Sequence, residues 1–541
     1  MRCLRIYLFL IGILYFYTSP FILTKNNLSD SSIGLRRIKI HSGRSDAISS
    51  LKNEPLISQW NLLFSKIAKD ASMHPEQYEA IELLFIREDD SVEKIPFFVP
   101  NDVSDGDLDI TVSYLAAKVN NYIVIHSAKS VYVKSKLENI CEKLNSYFQQ
   151  NYERRDARTT VASMSAIYSG SDNFEILSYQ DGEIFEVVNE ETQQQEFETQ
   201  EVSFYYSTTN IVVNIGKTKI KFAIAYILEN GGYRLGNVMD LNTWEEGEDR
   251  TQYGLIQERV IVGINELLKQ SELNVEDISG IGLSGAAIIK DGRPLPIRAG
   301  FASLFSDESL KELTSICNVV SEELGSLLTI MGNDGNMEAL SIAKMSQYRN
   351  TLVLKFGTTL AAGYIDGEGN VAKGLNEINK IVVDLDENAF LQYSTKVSGA
   401  VGRYVSWVGI ENVAKTLSLY EKYGFSSEDK VPNILKTWLE SGTEGQKEDA
   451  RNVFTKIGEY IGVMAYELSR YCCLDNVVIS GGLVAGKSGE TIVESANSCI
   501  QRISFDPTIS VSLSSDDIEV LRYGGLIGAG YLIADLINQR N

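Results

Sequence analysis

One pattern governs what this chain can fold into: an apolar strand, a Gly-Thr turn and a second apolar strand, written twice. The first copy, TTNIVVNIGKTKIKFAIAYI, turns at Asn214-Ile215-Gly216-Lys217-Thr218. The second, NTLVLKFGTTLAAGYI over residues 350–365, turns at Phe356-Gly357-Thr358-Thr359. Such a turn directs backbone N–H groups and a hydroxyl into open space, where they can cradle a phosphate. A single glycine between strands is most often only a turn residue. Two in matching settings imply duplicated lobes that grip a nucleotide between them.

The bulk properties allow that architecture and exclude others. A chain of 541 residues has room for two or three domains. Hydrophobic and charged fractions of 44% and 23% are those of a globular protein. A net charge of −22 opposes nucleic-acid binding driven by phosphate attraction. The three histidines, His41, His74 and His126, all precede the paired hairpins, so histidine chemistry has no residue to use in the C-terminal half. The six cysteines lie scattered without CxxC spacing and read as free thiols.

The N-terminus reads as a targeting segment. Arg2 and Arg5 precede the apolar run Ile6–Tyr17 and then Thr18-Ser19-Pro20, the pattern of a signal peptide. Residues 1–24 are assigned to that signal, with a single membrane anchor as the alternative. Residues 25–52 are basic and Ser-rich, and the combination resembles the bipartite leader of a protein bound for a secondary plastid. A plain linker after a signal or anchor is the other reading, and a cytoplasmic protein results if the start is misassigned. Residues 53–205 form an α/β extension. Its expected elements are helices over Leu56–Ala71 and Pro75–Leu84, strands over Tyr122–His126 and Ser130–Val133, and a helix over Ser135–Gln150 with Ser135 as N-cap. Residues 186–201, acidic and Gln-rich, read as a solvated loop.

From residue 206 onward, strands alternate with helices. Gly254–Ser271 has helical spacing, and Ile278–Leu283 reads as a buried strand ending at the small turn Ser284-Gly285-Ala286-Ala287. The strand Leu327–Met331 runs into Gly332-Asn333-Asp334-Gly335-Asn336. A carboxylate and an amide at a strand's C-terminal end stand where open α/β sheets place their ligands, although an Asp there also caps helices.

In their order these segments resemble the ROK family of sugar kinases and regulators, within the actin/hexokinase/Hsp70 ATPase superfamily. The likeness covers residues 209–541. The family's Asp-x-Gly-Gly-Thr-Lys is matched by Asn214–Lys219, its sugar-side turn by Gly282-Leu283-Ser284-Gly285, and its Asn-Asp-x-Asn by Asn333–Asn336. Gly357–Ala361 stand for the second phosphate turn, Asn376–Lys380 for Gly-Glu-x-Gly-His, Gly481-Gly482 for the adenosine-side glycines, and 524–529 for the start of the terminal helix. The resemblance implies an α/β, two-lobed ATPase fold of duplicated ribonuclease H-like lobes, with lobe 1 over 206–345 and lobe 2 over 346–541. It implies phosphoryl transfer from ATP with Mg²⁺ to a hexose or N-acetyl-hexosamine, with Asp334 as base. Asn333, Glu377, Gly285 and Lys380 would face the sugar. Gly216, Lys217, Thr218, Gly357, Thr358, Gly481 and Gly482 would surround the nucleotide. A homodimer is a further implication, as family members often pair.

Five departures fall on ligand-facing positions. Asn214 replaces the metal-positioning Asp, Lys217 a glycine, Thr359 and Ala361 two more glycines, and Lys380 the family's histidine. No cysteine follows in 381–396, so structural zinc is not expected. A catalytically impaired relative that senses or scaffolds through a sugar or nucleotide is therefore the alternative to a kinase. A ROK-type transcriptional repressor is disfavoured by the acidic charge and the lack of a helix-turn-helix pattern.

Overall fold

A computed structural model describes residues 71, 74–101, 105–137, 139–152, 160–171, 173–179, 207–298, 302, 305–386, 388–392, 395, 397–503, 508–514 and 518–540. The expected signal and leader, all but the last residue of the helix over Leu56–Ala71, and the acidic loop at 186–201 lie outside them.

The extension comes first. It comprises β1 (Tyr78–Ile86), β2 (Val92–Pro100), α1 (Asp105–His126), β3 (Ser130–Lys134), α2 (Ile140–Tyr152), α3 (Val161–Tyr168) and β4 (Glu175–Ser178). Its sheet has the order β2-β1-β3-β4. Three expectations are corrected here. The segment Pro75–Leu84 is a short 3-10 turn followed by β1, because Ile81, Leu83 and Phe85 alternate into the core while β1 pairs on both edges. Tyr122–His126 closes α1 and is not a strand. Its β-branched run favours extension locally, but burial on all sides of α1 overrides that preference. Ser135 caps no helix, since α2 starts at Ile140; its hydroxyl donates to Glu79 at 2.8 Å and accepts from the Leu137 N–H at 3.0 Å.

Lobe 1 contains β5 (Thr208–Ile215), β6 (Lys219–Ile227), β7 (Tyr233–Asn242), α4 (Gly254–Gln270), β8 (Gly280–Gly285), the small hairpin β9 (Ile289–Lys290) and β10 (Arg293–Pro294), α5 (Asp307–Glu323) and β11 (Thr329–Asn333). Its five strands run in the order β11-β8-β5-β6-β7. The meander β5-β6-β7 is antiparallel, and β8 and β11 are added in parallel.

Lobe 2 repeats the scheme. After the connecting helix α6 (Asp334–Ser346), it comprises β12 (Thr351–Phe356) and β13 (Leu360–Ile365), followed by the hairpin β14 (Leu391–Gln392) and β15 (Val397–Ser398). Four helices come next: α7 (Trp407–Thr416), α8 (Leu419–Tyr423), α9 (Val431–Ser441) and α10 (Glu444–Leu468). The chain closes with β16 (Asn476–Ser480), α11 (Lys487–Ile503), β17 (Ser510–Leu513) and α12 (Ile518–Arg540). The order β13-β12-β16-β17 is an antiparallel hairpin extended by two parallel strands, as in lobe 1. Among the described residues lobe 2 has no counterpart of β7, but its four strands otherwise follow the order of lobe 1, the duplicated ribonuclease H-like arrangement of the two-lobed ATPases.

Helix α12 returns to lobe 1 and is longer at its start than expected, so the glycines of 524–529 lie within it and act as contact residues. A side chain at Gly528 would overlap the Met337 carbonyl of α6, and one at Gly282 of β8 would overlap the Ala529 carbonyl of α12. A small core of Val212, Ala223, Met337, Leu340, Val353, Val478, Leu526 and Ile527 draws on both lobes and on these two helices.

The extension shares its core with lobe 2. Between α1 and α10 a buried ion pair joins Lys118 to Glu467, whose side chains are 3% and 2% exposed. Burial pushes the Lys118 ammonium down to about 8, and Glu467 offsets part of that. Removing one member strands the other's charge, which costs about 3–5 kcal/mol. Glu467→Ala should lower stability by about that amount in urea unfolding. Lys118→Met should cost less, because the neighbouring Arg470 still attracts Glu467.

Candidate active site

The junction of β11 and α6 places the central groups. The strand ends at Asn333, and that residue caps α6: its Oδ1 accepts from the N–H groups of Gly335 at 2.9 Å and Asn336 at 3.3 Å. Its Nδ2 donates to the Ala287 carbonyl at 3.0 Å, so the amide is committed to local structure. Asp334 is the first residue of α6, partly accessible, with Oδ1 accepting from the Gly335 N–H at 2.9 Å. A side chain at Gly335 would strike backbone atoms of Ala362 in β13, which sets Asp334 at the meeting line of the lobes.

Burial raises the Asp334 carboxyl above the ordinary range, and the negative charge of Glu377 adds to that. The Gly335 N–H and the Lys355 ammonium act in the other direction. Glu377 is ion-paired with Lys380, which also donates to Asn379 Oδ1 at 3.1 Å. Lys380 is therefore a buried partner of Glu377. Beside them, Asn376 Nδ2 donates to Asn336 Oδ1 at 2.7 Å. The extension holds this loop from outside: the N–H groups of Asn376 and Glu377 donate to the Ile125 and Val124 carbonyls at 3.3 and 2.9 Å, and Asn120 Nδ2 donates to the Lys380 carbonyl at 3.0 Å.

The residues expected around the nucleotide fall on three turns. Gly216, Lys217 and Thr218 join β5 to β6, with the Gly216 N–H donated to the Lys219 carbonyl at 3.0 Å and Lys217 and Thr218 exposed. Gly357 and Thr358 join β12 to β13; the Gly357 carbonyl accepts from the Trp407 N–H at 3.0 Å and Thr358 is exposed. Gly481 has φ +112° and lies so close to Phe356 that a Cβ would come within 2.5 Å of its carbonyl oxygen. Gly482 is exposed, and Lys436 of α9 donates to its carbonyl at 2.8 Å. Gly285 stands opposite Asn333 in register but is buried under Met331.

Sequence reasoning missed the groups between these turns. Lys355, two residues before Gly357, pairs with Glu338 of α6 at 2.8 Å. Burial raises the Glu338 carboxyl, and Lys355 partly offsets this. Asn214, two residues before Gly216, is the lobe 1 counterpart of Lys355. Each is flanked in register by a serine at the end of the next strand, Ser284 beside Asn214 and Ser480 beside Lys355. A lysine inside the apolar run TLVLKF is the one signal that could have exposed the pair.

The raised Asp334 carboxyl has a measurable consequence. With its folded value above its unfolded one, the native state binds the extra proton, so stability falls as pH rises through that window. Asp334→Asn removes the fall. Urea unfolding at pH 4 and pH 7 should show the variant gaining on the parent at the higher pH.

No protein-family model matches the chain, and no curated protein matches it. Solved structures do. The ROK hexokinase of Thermus thermophilus is 18% identical, with 62% of this chain and 100% of that one covered at a TM-score of 0.46. The ROK family glucokinase of Streptomyces griseus, in complex with glucose and AMPPNP, is 18% identical over 60% of this chain and 98% of its own, at a TM-score of 0.42. A ROK family transcriptional regulator homologous to the E. coli MLC protein is 14% identical over 61% and 80%, at 0.48. The repeated strand order, rather than these superpositions, carries the fold, and the chain is similar in structure to ROK family sugar kinases and regulators.

Proposed function

We propose that this chain transfers the terminal phosphoryl group of a nucleoside triphosphate to a hydroxyl of a small sugar. The observation that carries the reading is Asp334, a carboxylate with raised proton affinity at the start of α6, within reach of the charges of Glu377 and Lys355. A base poised closer to neutrality is suited to taking a hydroxyl proton. In the reaction the sugar oxygen attacks the terminal phosphorus and its proton passes to Asp334. The bond to the bridging oxygen breaks, and the nucleoside diphosphate departs. Lys436 and the open turn at Gly482 suit the nucleoside end. The polar loop at Asn376–Lys380 suits the sugar end.

One set of observations favours a second reading, a binding protein without turnover. Asn333 is occupied by three hydrogen bonds, and Glu377 is neutralised by Lys380. A sugar would have to displace or share these contacts.

Asp334→Ala separates the two. In a coupled assay of diphosphate release with a panel of hexoses and N-acetyl-hexosamines, the parent should turn over and the variant should lose at least about a hundredfold. Calorimetric titration should find sugar affinity nearly unchanged. Sugar binding by both proteins, with no turnover by either, would sink the kinase reading in favour of the sensor.

A further inference from the structure

The phosphate side of the cleft does not fit a divalent cation. Asn214 supplies an amide where a metal-positioning carboxylate would be needed. The carboxylate nearby belongs to Glu338, and one of its oxygens is already on the Lys355 ammonium at 2.8 Å. Among the described residues, no group of three acidic, histidine or cysteine side chains comes together to hold a metal.

The same place is rich in fixed positive charge. Lys221 of β6 lies in register beside Asn214. The charges of Lys355 and Arg522 both reach it, and with burial they depress its proton affinity. Lys221 and Arg522 also flank the Tyr523 ring, at 5.6 and 5.2 Å from its centroid. Three cations crowd one cleft of a chain whose net charge is −22. Asp240 and Glu338 offset part of that charge, and a bound polyanion would offset the rest.

Unpartnered polar atoms are buried beside these residues. Ser284 and Ser480 are 0% and 2% exposed, and neither hydroxyl has a hydrogen-bond partner; the second oxygen of Glu338 is also unmatched. A Cβ on Gly525 would lie 2.8 Å from Asn214 Nδ2 and 3.5 Å from Ser284 Oγ, and one on Gly524 would strike the Glu338 carboxylate. Gly524 and Gly525 thus let the α12 backbone close over Glu338, Asn214 and Ser284. Lys355, paired with that Glu338, keeps 33% of its side chain exposed, and an ammonium is a strong donor to phosphate oxygens.

We infer that Lys355, held in place by Glu338, stands where a phosphoryl-transfer site would keep its divalent cation, so that the cleft binds a polyphosphate chain without metal. The inference rests on the nucleotide-using reading above and names how that site meets its phosphates. Glu338 orients the ammonium, and Lys221 adds a second charge from lobe 1.

The test is calorimetric titration of the full chain with ATP, and separately with inorganic tripolyphosphate, in EDTA and in Mg²⁺. The expected result is binding of both probes in EDTA, with ATP affinity changing less than about threefold on adding Mg²⁺. Lys355→Met should weaken both probes by about tenfold or more, and Lys355→Arg should retain most of the affinity. Because the single methionine variant leaves Glu338 buried and unpaired, Lys355→Met with Glu338→Gln serves as a second variant, and its sugar affinity reports an intact fold. ATP binding that needs Mg²⁺, or an unaltered affinity in the double variant, would overturn the inference and leave the kinase reading standing. Absence of ATP binding under both conditions, with sugar still bound, would overturn both.

Discussion

The molecule depends on how closely α12 can lie against α6 and β8. Gly528 admits the Met337 carbonyl, and Gly282 admits that of Ala529. With any side chain there the helix would stand off, and the small core drawn from both lobes would open. This contact also fixes the cleft. The helix that locks the lobes together brings Gly524 and Gly525 directly over Glu338 and Asn214. Fold and site are thus set by one run of small residues.

Duplication makes the departures of the cleft intelligible. Each lobe presents a polar residue two positions before its turn glycine and a serine on the adjoining parallel strand. The halves differ in charge: lobe 1 offers the neutral Asn214, and lobe 2 offers Lys355. The lysine brings a requirement, since an unpaired ammonium in this setting would be costly, and Glu338 one turn into α6 meets it. The Glu377–Lys380 pair has the same logic in the loop after β13, where a buried cation neutralises a partly buried anion.

Much of this was legible in the chain, for reasons that differ by element. The paired hairpins could be read because strand alternation and a Gly-Thr turn are local properties. The strand-to-helix junction at Asn333-Asp334 could be read because capping chemistry is local too. The last turn of α1 could not, since Tyr122–His126 carries a strand-like run and only its burial against lobe 2 makes it helical. Nor could Glu338 and Lys355. Each looks like an ordinary surface charge in sequence, and their pairing exists only once α6 lies against β12. The third hydrogen bond of Asn333 was equally invisible, because its partner, Ala287, lies 46 positions away.

The extension touches both lobes. Toward lobe 2 it shares a continuous core and grips the loop at Asn376–Lys380 through backbone hydrogen bonds. Toward lobe 1, Lys290 of β9 pairs with Glu88 and donates to the Tyr168 carbonyl at 2.9 Å. Ile288 and Ile297 of lobe 1 also enter the shared core, so each attachment combines apolar packing with an ion pair. Ionic strength then bears on one contact more than the others: added salt weakens the partly exposed Lys290–Glu88 pair while leaving the shared apolar core intact.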